Sequence, residues 1–187
     1  MLILMALLVA SASFGQQAYQ AQVSKMSVTG SSTLHEWTSD VTQVQWAGLL
    51  TLQADQQLEV KNVVVTIPVK SIKSTHGKMM DNKTYEAFKH DKNPNIIYKV
   101  SDYKLKVSGS ETLGEISGTL TMAGVTKSIP LQVKTKLLPN GTLQLSAARK
   151  LNMTEFKMDP PSAMMGTINV GEEVTVNFEI TLTPNKI

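Results

Sequence analysis

The C-terminal segment Val174–Leu182 alternates strictly between apolar and polar residues, and this pattern constrains the fold more than any other feature. The segment Leu131–Leu137 alternates in the same way. A period of two is typical of a strand with one buried and one solvent-facing side. Because open strand edges favour aggregation, a chain made mostly of such strands is expected to close on itself or to stack. A closed sheet that encloses a volume can hold a ligand.

The rest of the chain divides into further extended segments separated by turn-forming residues. These predicted segments are Gln20–Thr29, Ser32–Trp37, Val41–Leu52, Leu58–Val69, Asn95–Val107, Glu111–Met122, Val125–Leu138 and Thr142–Met153. We expect a bulge at Gly48 and a hairpin turn at Ala123-Gly124. About eight sequential strands predict an all-β fold, an eight-stranded antiparallel barrel with one short helical insertion. A β-sandwich is the alternative.

The segment Met79–Asp91 predicts the helical insertion. Asp81 or Asn82 is positioned to cap its first turn, and Pro94 is expected to end it. A short helix between strands most often plugs one end of a barrel or covers a sheet edge. We therefore expect this helix either to plug one end of the barrel or to cover an edge of the sheet.

Residues 1–15 have the pattern of a secretory signal peptide. Met1–Ala10 is entirely apolar and is followed by small residues. Ten apolar residues are too few to span a bilayer, which needs about 20. No charged side chain precedes Lys25, so the basic region of a typical leader is absent apart from the α-amino group of Met1; either the true start lies a few residues upstream, or the amine alone serves. The sequence thus predicts a signal peptide and a mature domain at 20–187, with a buried N-terminal strand or helix as the alternative.

Composition argues against several classes of protein. The net charge is only +3 and the basic residues are scattered singly, which favours a solvated surface over nucleic-acid binding. Transient contact with an anionic membrane surface remains open on these grounds. The chain has no cysteine, which excludes disulfides, thiolate metal sites and acylation of an N-terminal cysteine. Export without cysteine suits a bacterial periplasm, so we predict a periplasmic or secreted protein.

Catalytic and metal-binding patterns are weak. The three histidines, His35, His76 and His90, do not have the i, i+2 or i, i+4 spacing of a local metal site. No G-x-S-x-G motif and no glycine-rich loop before a helix occur in the sequence. We therefore predict no catalytic residues, no metal and no cofactor, and a protein that is not an enzyme.

Methionine is unusually frequent, with ten residues in the chain. Flexible thioether side chains adapt to irregular apolar shapes and suit permissive binding surfaces, although gap-filling in a core is the commoner role. Aromatic residues make up only 5% of the chain, which is little for a site that stacks sugars or bases. The remaining interior is aliphatic and suits a long aliphatic ligand.

Several segments, in this order and spacing, resemble the YceI-like family of secreted, lipocalin-like proteins that bind polyisoprenoids. The segments are Ser32–Trp37, Met80–Lys89 followed by Asp91–Pro94, Gly118–Lys127, and Gly171–Val174 with the strand after it. The likeness spans about Gln20–Pro184. It implies an eight-stranded antiparallel lipocalin-like barrel with an apolar pocket, and an isoprenoid chain in that pocket, such as a quinone or prenol tail.

The resemblance and the spacing also suggest residues for the pocket. We expect its lining to include Trp37, Phe88, Tyr98, Met122, Phe156 and Met165. His35 is expected to contact a polar head group.

The function predicted from the sequence is that of a periplasmic carrier, as monomer or homodimer, for an isoprenoid lipid or quinone. Burial of a long tail alone can give tight binding, because each buried CH₂ contributes about 0.8 kcal/mol. One alternative is a ligand-free barrel that acts as a protein-interaction or stress-response module. Another is an enzyme that uses His35 with a carboxylate on a strand.

Overall fold

A computed structural model describes residues 17–185, so the predicted signal peptide lies outside the described residues. Within 17–185 the chain forms fourteen strands and one α-helix, α1, at Lys78–Ala87. The strands are β1 Gln17–Ser32, β2 Glu36–Val41, β3 Gln45–Leu52, β4 Gln57–Pro68, β5 Ile72–Ser74, β6 Asn95–Val100, β7 Tyr103–Lys106, β8 Thr112–Ile116, β9 Gly118–Met122, β10 Val125–Ser128, β11 Leu131–Leu137, β12 Leu143–Asn152, β13 Ser162–Ala163 and β14 Ile168–Pro184.

The strands pair antiparallel in a sheet that curls back on its first strand. Neighbours follow the order β10-β9-β6-β4-β3-β1-β14-β12-β11-β8. Strands β8 and β9 follow each other directly along the chain, and so do β10 and β11, with short breaks at Ser117 and at 129–130. The pairs β9 with β10 and β8 with β11 therefore belong to one long hairpin. The outer edge of β9 in this hairpin pairs with β6. This hairpin completes the curl.

The predicted all-β antiparallel fold with one short helix is confirmed, and the strand count differs for a local reason. Interruptions divide β2 from β3, β4 from β5, β6 from β7, β8 from β9, and β10 from β11, while the small β13 pairs only with β14. If each interrupted pair is taken as one strand, the wall contains eight. Bends of this kind relieve the strain of closing a twisted sheet.

The long pairing of β1 with β14 joins the two ends of the chain. It runs from Tyr19 opposite Pro184 to Ser32 opposite Val170, with a register shift between Val23 and Lys25. A one-residue shift moves the following side chains to the other face of the sheet. The predicted bulge at Gly48 is also present, because the register of β3 against β4 shifts there and Gly48 has a φ of 130°.

Helix α1 differs from its sequence-based bounds at both ends. It begins at Lys78, after Gly77, and makes no side-chain cap, so the predicted capping by Asp81 or Asn82 is wrong. Asp81 instead accepts a 2.7 Å hydrogen bond from the backbone N–H of Ser74. The helix ends at Ala87, well before Pro94, because Lys89 adopts a left-handed φ of 52° that cannot continue an α-helix.

Two clusters of buried apolar side chains form the core. One cluster includes Leu58, Leu143 and Leu182, each fully buried. The other includes Met153 and Phe156 and packs against Phe88, the residue that follows α1. The first cluster therefore closes one end of the barrel, and the second lies towards the end that carries the helix.

Candidate functional site

The interior of the barrel contains a cavity of about 430 Å³. Its wall is built by alternate residues of the strands, which point inward because successive side chains of a strand face opposite sides. On β14 the inward residues are Val174, Val176, Phe178 and Ile180, the apolar face that the sequence predicts. The volume lies within the range of about 300–1,000 Å³ typical of small-molecule sites.

The cavity opens at the end that carries α1. The helix contributes Met79 and Met80 to the lining, and Met79 is 64% exposed to solvent. His35, in the turn between β1 and β2, stacks its ring on His76 with 4.7 Å between the ring centroids. Both histidines are exposed and line the cavity. This contact places the β1–β2 turn next to the loop that leads into α1, at the mouth of the cavity.

Five of the residues predicted for the pocket line the cavity. These are His35, Trp37, Phe88, Tyr98 and Met122. The indole N–H of Trp37 donates a 3.0 Å hydrogen bond to the carbonyl oxygen of Ser31. The ring of Trp37 also lies over Gly30, where an added Cβ would fall 2.5 Å from Cζ2, so glycine is required for this packing. Contact of these five predicted lining residues with a ligand stays a prediction.

The structure places Phe156 and Met165 outside the cavity, which corrects their predicted role in its lining. Phe156 lies in a 3₁₀ turn at Thr154–Phe156, and its side chain is fully buried in the core behind the wall. Met165 has a left-handed φ of 54° in the turn before β14, and its side chain is fully exposed. Neither segment is a regular strand, so alternation does not determine which way these side chains point.

His35 lies at the mouth rather than in the interior. Its Nδ1 donates a 2.8 Å hydrogen bond to the carbonyl oxygen of Glu36, in the tautomer that protonates this nitrogen. The opposite ring nitrogen, Nε2, is then an acceptor. A polar group of a ligand could meet this nitrogen only near the surface of the protein.

Tyr98 supplies a polar group within the apolar wall. Its hydroxyl donates a 2.7 Å hydrogen bond to the carbonyl oxygen of Ile129. Burial raises the pKa of Tyr98 to about 12, while the positive charge of Arg149 acts in the opposite direction. The phenol is therefore neutral at physiological pH, and its proton is already used within the protein.

Among the lining residues that sequence analysis missed, three are instructive, and two of these have a recognisable reason. Met26 points inward because the register shift in β1 lies just before it. Arg149 lies on β12, where the alternation from Leu145 to Leu151 puts it on the inward face. Continuing that alternation through Arg149 would have found it. His76 lies in a loop, where no periodic pattern identified it.

Other kinds of site find little support in the part of the chain that the structure describes. Residues 17–185 contain no group of three or more histidine, aspartate or glutamate side chains placed to hold a metal ion. In the same residues, no helix has the length and apolar character needed to cross a membrane. The apolar cavity is accordingly the candidate site.

Comparison with known proteins agrees with this architecture. The sequence model of the YceI-like domain matches residues 18–182. The chain belongs to the YceI-like family. The match covers almost every described strand, from β1 to most of β14, and therefore the whole wall of the cavity. No curated protein is significantly similar to this YceI-like chain.

Solved structures share the fold at low sequence identity. A polyisoprenoid-binding domain from Saccharophagus degradans, implicated in plant cell wall breakdown, is 13% identical, with a TM-score of 0.65 over 89% of this chain and 99% of that domain. BcnA from Burkholderia cenocepacia is 16% identical, with a TM-score of 0.63 over 85% of this chain and 96% of its own. The Campylobacter jejuni YceI protein is 22% identical, with a TM-score of 0.56 over 78% of this chain and 86% of that protein.

Proposed function

We propose that this YceI-like protein is an exported carrier that holds an isoprenoid lipid, with a quinone or polyprenol tail, inside its barrel. The observation that carries the proposal is the cavity of about 430 Å³, open at one end and walled mostly by apolar side chains. Such a wall gains free energy from every CH₂ that it removes from water, about 0.8 kcal/mol each. The polyisoprenoid-binding domain of Saccharophagus degradans, which has the same fold, supports the isoprenoid class of ligand.

A periplasmic or secreted location completes the proposal and rests on the sequence. The leader pattern of residues 1–15 and the absence of cysteine support export from a bacterial cell. N-terminal sequencing of the mature protein from its host would test this directly. A mature chain that begins at Ser13 or Gln16 is expected, whereas a retained Met1 would contradict export through this leader.

The ligand-free interaction module requires an interior filled by side chains. The cavity in the barrel counts against that alternative, because small barrels without ligands are normally packed. An enzyme based on His35 and a carboxylate would need the two groups to meet at the site. Among the described residues 17–185, those that line the cavity include no aspartate or glutamate, so this third candidate has no observation in its favour.

Transient contact with a membrane surface would let the ligand enter and leave. Three large apolar side chains are exposed near the mouth: Leu34 at 66%, Met79 at 64%, and Met165, which is fully exposed. The turn that carries Leu34 is held to the segment before β14 by a 3.3 Å hydrogen bond from the Thr33 hydroxyl to the carbonyl oxygen of Thr167. Exposed apolar groups on one rim are typical of a surface that touches lipid or protein.

Native mass spectrometry of the protein purified from its own host, followed by organic extraction, tests the carrier function. A co-purifying isoprenoid at near-stoichiometric amount is expected. A mass equal to that of the protein alone, with no uptake of added quinones or prenols, would favour the interaction module instead.

Variants of the wall make the test specific to the cavity. Met122→Asp places a charge on the lining and should abolish uptake, whereas Thr119→Asp, on the exposed face of the same strand, should leave it unchanged. Met122→Gln, which is uncharged, keeps the comparison valid if the aspartate prevents folding. His35→Ala then tests the head-group role, and uptake unchanged in amount and specificity would remove that role.

A further inference from the structure

Arg149 is the single arginine of the whole chain, and it lies inside the barrel. Its neighbours on the same face of β12 are Ala147 and Leu151, with Leu145 one step beyond Ala147, and its partner across the sheet is Val176. Leu145 belongs to the core cluster at the closed end, and Leu151 to the cluster at the helix end. Arg149 therefore lies between the two clusters, partway along the barrel.

Within residues 17–185, Arg149 makes no charge-compensating contact. Nε of Arg149 is shielded from solvent and makes no hydrogen bond. No ion pair in the described part of the chain involves Arg149, and the cavity lining contains no aspartate or glutamate. The cation–π contacts of the same residues are made by Lys73 and Lys127. The hydroxyl of Tyr98 donates its hydrogen bond to Ile129, and none of the hydrogen bonds within residues 17–185 joins it to Arg149.

A guanidinium on an apolar wall favours a particular kind of ligand atom. Its donors form a planar fork that matches two oxygens of a carboxylate, and the low dielectric of the interior strengthens such a pair. A neutral quinone carbonyl or alcohol would accept a hydrogen bond but leave the charge uncompensated. A phosphate monoester carries close to two negative charges at neutral pH. The described part of the lining contains no lysine, so the single arginine matches a monoanion best.

We propose that Arg149 is the head-group anchor of the cavity and selects a lipid with a carboxylate head, bound with its head inward and its tail towards α1. This inference rests on the proposed lipid-binding function and names the chemistry of the head group. It places the polar end of the ligand at mid-barrel rather than beside His35. The apolar side chains at the mouth, such as Met79 and Met80, then contact the tail.

The two tryptophans of the chain, Trp37 and Trp46, both line the cavity, so their fluorescence reports binding without a label. The delipidated protein is titrated with lipids that share one C20 isoprenoid tail: geranylgeranoic acid, its methyl ester, geranylgeraniol and geranylgeranyl monophosphate. Palmitic acid tests whether the tail must be isoprenoid. The acid is expected to bind at least about tenfold more tightly than its ester and the alcohol, and more tightly than the monophosphate.

Variants assign any preference to Arg149. Arg149→Met keeps an apolar side chain of similar length and should remove the preference for the acid while retaining binding of the alcohol. Arg149→Lys should retain part of the preference for the acid, because a positive charge remains but the bidentate fork is lost. Lys150→Met, on the exposed face of the same strand, is the matched control and should behave like wild type.

The outcomes separate this inference from the function on which it rests. Equal binding of acid and alcohol by the wild type, or a preference that survives in Arg149→Met, would overturn the anchor while leaving the lipid carrier intact. Tightest binding of the monophosphate would overturn the carboxylate assignment. Failure of every lipid in the series to bind would contradict the carrier function itself, and the anchor with it.

Discussion

The hydroxyl of Tyr98 on β6 donates a 2.7 Å hydrogen bond to the carbonyl oxygen of Ile129, in the break between β10 and β11. The bond crosses β9, because β6 pairs with β9 and β9 pairs with β10. The crossing is possible where Gly118 leaves room, since a Cβ there would fall 2.6 Å from the phenol oxygen. One side chain thus connects three neighbouring strands where the cavity wall bends.

Tyr98→Phe removes this bond and is expected to lower the free energy of unfolding at pH 7 by about 0.5–1.5 kcal/mol. Burial raises the pKa of Tyr98 from 10.0 to about 12, so the unfolded chain loses this proton at a lower pH than the folded protein does. The stability contributed by Tyr98 is therefore fully present below pH 10 and is lost as the pH rises towards 12.

Urea unfolding of both proteins between pH 7 and pH 12 checks this expectation. The lysines titrate in both proteins, so the difference between the two curves isolates Tyr98. That difference should shrink above pH 10, the ordinary tyrosine pKa. A difference that stays constant or grows would contradict the burial of a neutral phenol in the wall.

Asp81 fixes α1 to the barrel through its 2.7 Å bond from the backbone N–H of Ser74. Asp81→Ala leaves that N–H without a partner and should lower the free energy of unfolding by about 1–3 kcal/mol. Asp81→Asn keeps an oxygen acceptor and should lower the free energy of unfolding by less than Asp81→Ala does. Hydrogen exchange of residues 78–87, measured by mass spectrometry, should accelerate more in the alanine variant. Equal acceleration in both variants would indicate that the charge of Asp81, rather than this bond, holds the helix.

The regular strands were predictable because their chemistry repeats. The alternation of Val174–Leu182 identifies the inward face of β14, and Ala123-Gly124 forms the predicted turn, with both residues at positive φ. The helix end was not predictable from the usual signal, because Lys89 rather than a glycine takes the left-handed position. Sequence alone does not show where tertiary packing will impose that conformation.

Residues of the candidate site were predicted correctly mainly where they lie on strands. Trp37, Tyr98 and Met122 lie on strands and line the cavity. Phe156 and Met165 lie in 3₁₀ turns, where no two-residue period determines direction, and they point elsewhere. Register shifts add a second difficulty, because an inserted residue reverses the faces that follow it and is hard to locate in a sequence without glycine.

The exposed apolar rim at the mouth gives a kinetic prediction. Replacing Leu34, Met79 and Met165 together by serine should slow transfer of a bound lipid to anionic vesicles by about tenfold, because the rim then gains less from contact with the bilayer. The equilibrium affinity for the lipid should change little. Stopped-flow fluorescence with the intrinsic tryptophans measures the rate.

Two exposed leucines on the outer wall provide the matched control for the rim. Leu49 and Leu113 are 65% and 69% exposed, close to the exposure of the rim residues Leu34 and Met79. Replacing both by serine should leave the transfer rate unchanged. Equal slowing by the two sets of substitutions would show that general surface hydrophobicity, not the mouth, controls transfer.

Arg149 should destabilise the delipidated protein, because its Nε is shielded from solvent without a partner. Arg149→Met is expected to raise the free energy of unfolding of the lipid-free protein by about 1–3 kcal/mol, since an apolar side chain costs nothing to desolvate. Urea unfolding measures the change, with Lys150→Met as the exposed control that should stay within about 0.5 kcal/mol of wild type. Lower stability of Arg149→Met would mean that the guanidinium stabilises the empty barrel. A residue retained at a cost to stability is instead the pattern expected of a binding group.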